Sequence, residues 1–192
     1  MRTVTGLFDS YEAAKDAVAR LESAGIPSDD ISIVSHHRDS ESNAGSGAGV
    51  GAGLGAAVGG AGGLLTGLGI MAIPGVGPVV AAGWLAATLT GAVGGAVVGG
   101  VAGGLIGALT ESGVSEEDAH VYAESVRRGG SLVTARVPDE RVAEADAILA
   151  GTNRVDIGTR RKLYADEGWQ SFDADADPYT DEEIERERSR YL

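Results

Sequence analysis

Between Glu41 and Glu111 no residue carries a charge, whereas all 15 basic and all 28 acidic residues lie outside that stretch. Glycines recur inside it at every fourth position: Gly47, Gly51, Gly55, Gly59, Gly63 and Gly67, then Gly91, Gly95, Gly99, Gly103 and Gly107, with Gly83 and Ala87 extending the second row backwards. Residues i and i+4 share a helix face, so each row would form a groove along one helix. An interior glycine costs a helix roughly 1 kcal/mol relative to alanine. The spacing makes physical sense where two backbones must approach closely. Val50, Leu54, Val58, Leu65 and Leu68, then Val93, Val97, Val98, Val101, Leu105 and Ile106, supply bulk around the grooves.

Pro74, Gly75, Gly77 and Pro78 separate the two rows and break any helix there. The pattern predicts a helical hairpin with arms near 45–72 and 79–109. Such arms would be roughly 40–46 Å long at about 1.5 Å per residue, more than the roughly 30 Å hydrocarbon core of a bilayer. Trp84 is the single aromatic of the stretch, and neither flank carries the basic cluster that orients a membrane protein. Three readings follow. The hairpin crosses a bilayer, it packs glycine row against glycine row within a homo-oligomer free of lipid, or it is a flexible Gly/Ala linker. Two crossings would leave both charged parts on one side. With no secretory signal in "MRTVTGLFDSYEAAKD", the expected location is the cell membrane with the charged parts in the cytosol, the alternative being the cytoplasm.

The charged parts read as regular structure. "TVTGLF" (3–8) is a strand. Asp9 with Glu12 forms a capping-box pattern, and Ala14, Ala17, Val18, Leu21 and Ala24 mark the apolar face of a helix that Gly25 stops. "ISIVS" (31–35) is a second strand. After the insert, Ser115 caps a helix with Ala119, Tyr122, Ala123 and Val126 on one face, ended by Gly129 and Gly130. Arg127 and Arg128 suit its negative C-terminal end. "SLVTARV" (131–137) is a strand. A helix from Pro138-Asp139 turns Val142, Ala145, Ile148 and Leu149 inward, and "RVDIGT" (154–159) completes four strands.

The fold class expected is α+β: a ferredoxin-like split-βαβ sandwich with helices on one face, interrupted by a long apolar Gly/Ala-rich helical hairpin. The corresponding division is 1–41, first half of the ferredoxin-like domain; 42–110, glycine-zipper hairpin; 111–160, second half with an extra helix bracketing the insert; and 161–192, an acidic tail. Thr180 and Glu183 form a second capping box before "DEEIERERSRYL", and Trp169, Phe172 and Tyr179 are expected to dock the tail on a neighbouring surface.

The segments "VTGLFDSYEAAKDAVARLESAGIPSDDISIVS" and "GVSEEDAHVYAESVRRGGSLVTARVPDERVAEADAIL", with the glycine-rich insert between them, resemble the bacterial general stress protein domain family, heat-induced stress proteins included. The resemblance spans about 3–157, with "EEDAHVYAESVRRGGSLVTARV" its most specific part. It implies stress induction and brings no catalytic residues.

Little in the sequence points to bond-making chemistry. His36 and His37 are adjacent on a strand and face opposite ways. His120 sits on a helix near Glu124 without an H-E-x-x-H pattern. Asp173, Asp175 and Asp177 alternate like the start of a calcium loop, but Pro178 takes the place of the required glycine. No Gly-Lys-Ser/Thr follows a glycine row, and no Ser-His-Asp set is evident. No catalytic residue, metal ligand or cofactor is read. The net charge of -13, with ten acids in 165–192 against Arg186, Arg188 and Arg190, argues against nucleic acid. The partners expected are further copies of the chain and, where the hairpin inserts, a lipid bilayer. The function expected is a non-enzymatic stress-response protein that self-associates or attaches to a membrane. A soluble cage- or fibre-forming protein and a ligand-sensing module using an open sheet face are the alternatives.

Overall fold

A five-stranded antiparallel sheet in the order β1-β5-β2-β4-β3 organises the protein. The computed structural model describes residues 1–36, 69–94 and 104–191. The elements run β1 (Arg2–Phe8), α1 (Tyr11–Ser23), β2 (Ile31–His36), β3 (Gly69–Ile73), β4 (Gly77–Gly83), α2 (Trp84–Gly94), α3 (Gly104–Glu111), α4 (Glu116–Arg127), β5 (Ser131–Val137), α5 (Val142–Ala150), α6 (Ile157–Asp166) and α7 (Asp181–Arg188).

Three of the four expected strands form and pair as one unit. Central β5 sets Val133 against Gly6 on one side and Ile33 on the other. The expected fourth strand at 154–159 does not form. The Val155 amide donates to the Leu7 carbonyl at 2.8 Å. Then Asp156 accepts from the Thr159 amide at 2.7 Å and starts α6. An N-cap acid overrides the β-propensity of Val155 and Ile157.

The sheet grows instead on its other side, from residues expected to be helical. Gly69–Ile73 and Gly77–Gly83 form a β-hairpin whose second strand pairs with β2, His36 facing Val79 and Ser32 facing Gly83. Pro74, Gly75, Gly77 and Pro78 therefore sit at a strand-to-strand connection, and the two arms at 45–72 and 79–109 are not continuous helices. Ile70, Ile73, Val79 and Val80 supply the β-branched side chains that a pleated surface favours. Gly75 and Gly77 take φ of +72° and +99°, conformations that glycine adopts without strain. Of the second arm, only α2 and α3 are helical among the described residues. No helix among them is long and apolar enough to cross a membrane.

Gly83 ends β4 at φ +85°. A side chain there would collide with the Ile31 carbonyl oxygen. Its role is a sharp strand-to-helix turn against β2, not a groove on a helix. Ser32 completes that turn, donating to the Ala82 carbonyl at 2.7 Å and accepting from the Leu85 amide at 2.9 Å. A serine from β2 thus caps a helix whose bonded amide lies 53 residues further along the chain.

Helices cover both sheet faces. On one, α1 and α5 bury Phe8, Leu21, Ile33, Val133 and Leu149. On the other, α2, α3 and α4 bury Leu7, Val34, Val79, Leu85, Leu109, Tyr122 and Leu132. Both faces are thus occupied over β1, β5 and β2, whereas Ile70 and Ala72 of β3 stay exposed. The extra helix α4 lies over β2 and β5.

Local signals hold elsewhere. Ser115 caps α4, and Thr180 with Glu183 forms the capping box of α7. Gly25 and Gly129 stop α1 and α4 in left-handed conformation, each helix closing with paired bonds such as Ile26 amide to Leu21 carbonyl. At α1 the cap is Ser10, whose hydroxyl accepts from the Ala13 amide, so Asp9 lies one residue outside.

Candidate functional site

The described part of the uncharged stretch presents one surface and anchors one strap. β3 is the outer strand of the sheet among the described residues. Its Met71 and Ile73 turn toward the α2–α3–α4 core, while Ile70, on the opposite face, is 58% exposed. No charge, proline or bulge interrupts Gly69–Ile73, although natural edge strands are commonly guarded by such features. The other outer strand, β1, is guarded: Arg2 opens it, the N-terminal amine reaches Asp139, and Val155 bonds its backbone.

The β3–β4 turn is covered by residues 172–178. A side chain on Gly75 would meet the Asp173 carbonyl oxygen at 2.6 Å and Ala174 Cα at 2.8 Å, and one on Gly77 would meet Pro178 Cβ at 2.9 Å. The strap is tied at both ends. The Phe172 amide donates to His120 Nδ1 at 3.2 Å, and Arg127 Nη2 donates to the Asp177 carbonyl at 2.8 Å. Under it lies a cavity of about 410 Å³, floored by Ile73, Leu105, Ile106 and Phe172 and rimmed by Glu116, His120 and Asp173.

Arg128 locks the rest of the tail. Its Nε donates to Glu124 Oε1 at 2.7 Å, and its Nη1 donates to Glu167 Oε2 at 2.7 Å and Glu187 Oε1 at 2.9 Å. The guanidinium lies 4.1 Å from the Tyr164 ring centre and 5.7 Å from that of Tyr179. Burial alone would lower its pKa, but the three carboxylates outweigh burial and hold it well above the ordinary arginine value. Burial likewise pushes Glu187 up, but hydrogen bonds from Tyr191 and Arg128 reverse this and leave it below the usual carboxylate range. Both partners are therefore ionised at neutral pH. Arg190 joins Glu167 and Glu187, and Arg160 pairs with Asp9 at 2.6 Å while lying 3.8 Å from the Tyr191 ring centre. Ile184 packs on Gly129, whose carbonyl accepts from Arg188. Burial pushes Tyr122, in the adjoining core, up to about 12. This arrangement holds charge in place and presents no nucleophile beside a base.

With the β1-α1-β2 unit leading straight into the uncharged stretch, the comparison with known proteins is specific. Residues 3–70 of the 192 match the model of the heat induced stress protein YflT domain. The match supports a role in the general stress response. No curated protein and no solved structure gives a significant match. The YflT match covers β1, α1, β2 and the first two residues of β3. It stops short of the expected span to 157 and leaves out the segment 116–137 with the most specific resemblance.

The site residues expected from sequence fall as follows. Gly47, Gly51, Gly55, Gly59, Gly63 and Gly67, just within the YflT match, lie outside the described residues, as do Gly95, Gly99 and Gly103. Gly91 lies on α2 and Gly107 on α3, and a Cβ added at Gly107 would meet nothing within 4 Å among the described residues. Trp169 sets its ring edge-on to Tyr164 at 5.7 Å, Phe172 packs beside the second core, and Tyr179 lies under Arg127 at 4.9 Å. Arg128 was read as a helix-end charge, and its role as a buried hub was missed. The available signal was an Arg-Arg-Gly-Gly helix end in a chain whose tail is rich in both glutamate and tyrosine.

Proposed function

We propose that this is a non-enzymatic stress-response protein that acts by self-association through its uncharged segment, without a reaction centre of its own. One observation carries the reading. The part of that segment that joins the sheet ends it in an apolar, uncharged outer strand, in a chain of net charge -13. Charge elsewhere keeps molecules apart, and its absence here leaves one surface where like chains can meet without repulsion. The in-phase glycines on either side are suited to close helix packing between copies. The acidic tail, locked by Arg128, keeps the outside of the assembly soluble.

Light scattering on the eluting full chain tests this. The wild type should run at a multiple of its 19.3 kDa chain mass. Replacing Gly55, Gly59, Gly95 and Gly99 with leucine should reduce that mass. An unchanged particle in this variant would remove the glycine rows from the mechanism.

A further inference from the structure

The outer edge of β3 offers more than an apolar patch. We infer that it pairs antiparallel with the β3 of a second copy, about a two-fold axis at Met71, to join two five-stranded sheets into one. The choice of a second copy rests on the self-association reading, and the register follows from the strand itself. A two-fold axis perpendicular to a continuous sheet keeps each face on its own side, so opposing residues must come from the same face. Among the centres this allows, Met71 is the one that pairs all five residues. Centring on Ala72 would bring Pro74 into the ladder, and proline cannot donate.

That register is sterically self-complementary. Gly69 faces the partner's Ile73, Ile70 faces the partner's Ala72, and Met71 faces itself, so each large side chain other than methionine meets a small one. Ile70, one of the few large apolar side chains exposed among the described residues, gains the partner's Ala72 as a cross-strand neighbour. No charged side chain lies on β3 or on the adjoining β4. Two acidic molecules can therefore meet here, whereas a charged peptide would have nothing to pair with. A five-residue ladder buries less than the roughly 1,200 Å² typical of a stable interface, so pairing through this edge alone depends on concentration.

The chain has no cysteine, so single thiols report the register directly. In the full chain, Met71→Cys places two thiols on directly opposed residues, with Cα atoms about 4.5–5.5 Å apart, inside the disulfide range of about 4.4–6.8 Å. Ile70→Cys places them on a diagonal, about 7–8 Å apart. Under mild oxidation Met71→Cys should give at least about tenfold more crosslinked dimer than Ile70→Cys. An equimolar mixture of Ile70→Cys and Ala72→Cys should give the mixed dimer. Equal crosslinking at all three positions, or none, overturns the proposal. So does an Ile70→Cys thiol that resists maleimide in the native chain, because the chain's own residues then cover β3. Selective crosslinking of a chain that sediments as a monomer upholds the edge pairing while removing stable self-association. A stable particle without selective crosslinking does the reverse.

Discussion

Replacing Arg128 with alanine strands the carboxylates that it holds. Glu124 has 1% of its side chain exposed and Glu187 has 8%, and both pair with the same guanidinium, although Glu187 keeps Arg190 and Tyr191 without it. Removing one partner of a buried ion pair costs about 3–5 kcal/mol, and the lost contact with Tyr164 adds to this. Two features bring the total toward the lower end. Glu124 keeps Arg127 at 3.4 Å, and α7 can swing outward and carry Glu187 into water. A loss of about 3 kcal/mol corresponds to a fall in Tm of roughly 6–12 °C for a chain of this size. Thermal unfolding by circular dichroism reads the fall, and limited proteolysis reads the tail, which should be cleaved between 167 and 180 in the variant first. Adding Glu124→Gln to Arg128→Ala should restore part of the stability, because the stranded charge is then gone. A Tm within about 2 °C of wild type, with the tail still protected, would refute the hub.

Acid should release the same tail. The folded pKa of Glu187 lies below its ordinary value, so its contribution is full above that ordinary value and is lost as pH falls through the depressed one, on the acid side of the usual carboxylate range. Tryptophan fluorescence should change there as Trp169 leaves Tyr164, and a transition centred near pH 6–7 would contradict the assignment. Gly83→Ala should destabilise by at least about 2 kcal/mol, from strain at positive φ and collision with Ile31. Gly107→Ala should instead stabilise the fold by about 0.5–1 kcal/mol, because a helical glycine with open space gains only propensity. Denaturant unfolding of the two variants side by side checks both signs.

The parts of this fold that could be read from sequence rest on local chemistry. Ser115, the Thr180–Glu183 box and the Gly25 and Gly129 stops each act within a few residues of themselves, and the spacing that signals them is the spacing that causes them. The β3–β4 hairpin was missed because its cause is distant. Residues 69–72 and 79–83 adjoin the two glycine rows and share their uncharged, apolar composition, and pairing across the sheet from β2 makes them strands. Val155 failed in the opposite direction, where Asp156 imposed a helix on residues of high β-propensity. Arg128 occupies the position expected of it at the end of α4. Its importance comes from Glu167 and Glu187, residues whose proximity no spacing rule conveys. At the surface site, the absence of charge was legible at once, but the element that exposes it is a strand edge instead of a helical groove.

Sedimentation velocity of the intact chain across a wide concentration series tests self-association most directly. The account predicts species heavier than the 19.3 kDa chain that grow with concentration and dissociate when the uncharged segment is altered. A single 19.3 kDa boundary at every concentration would contradict it.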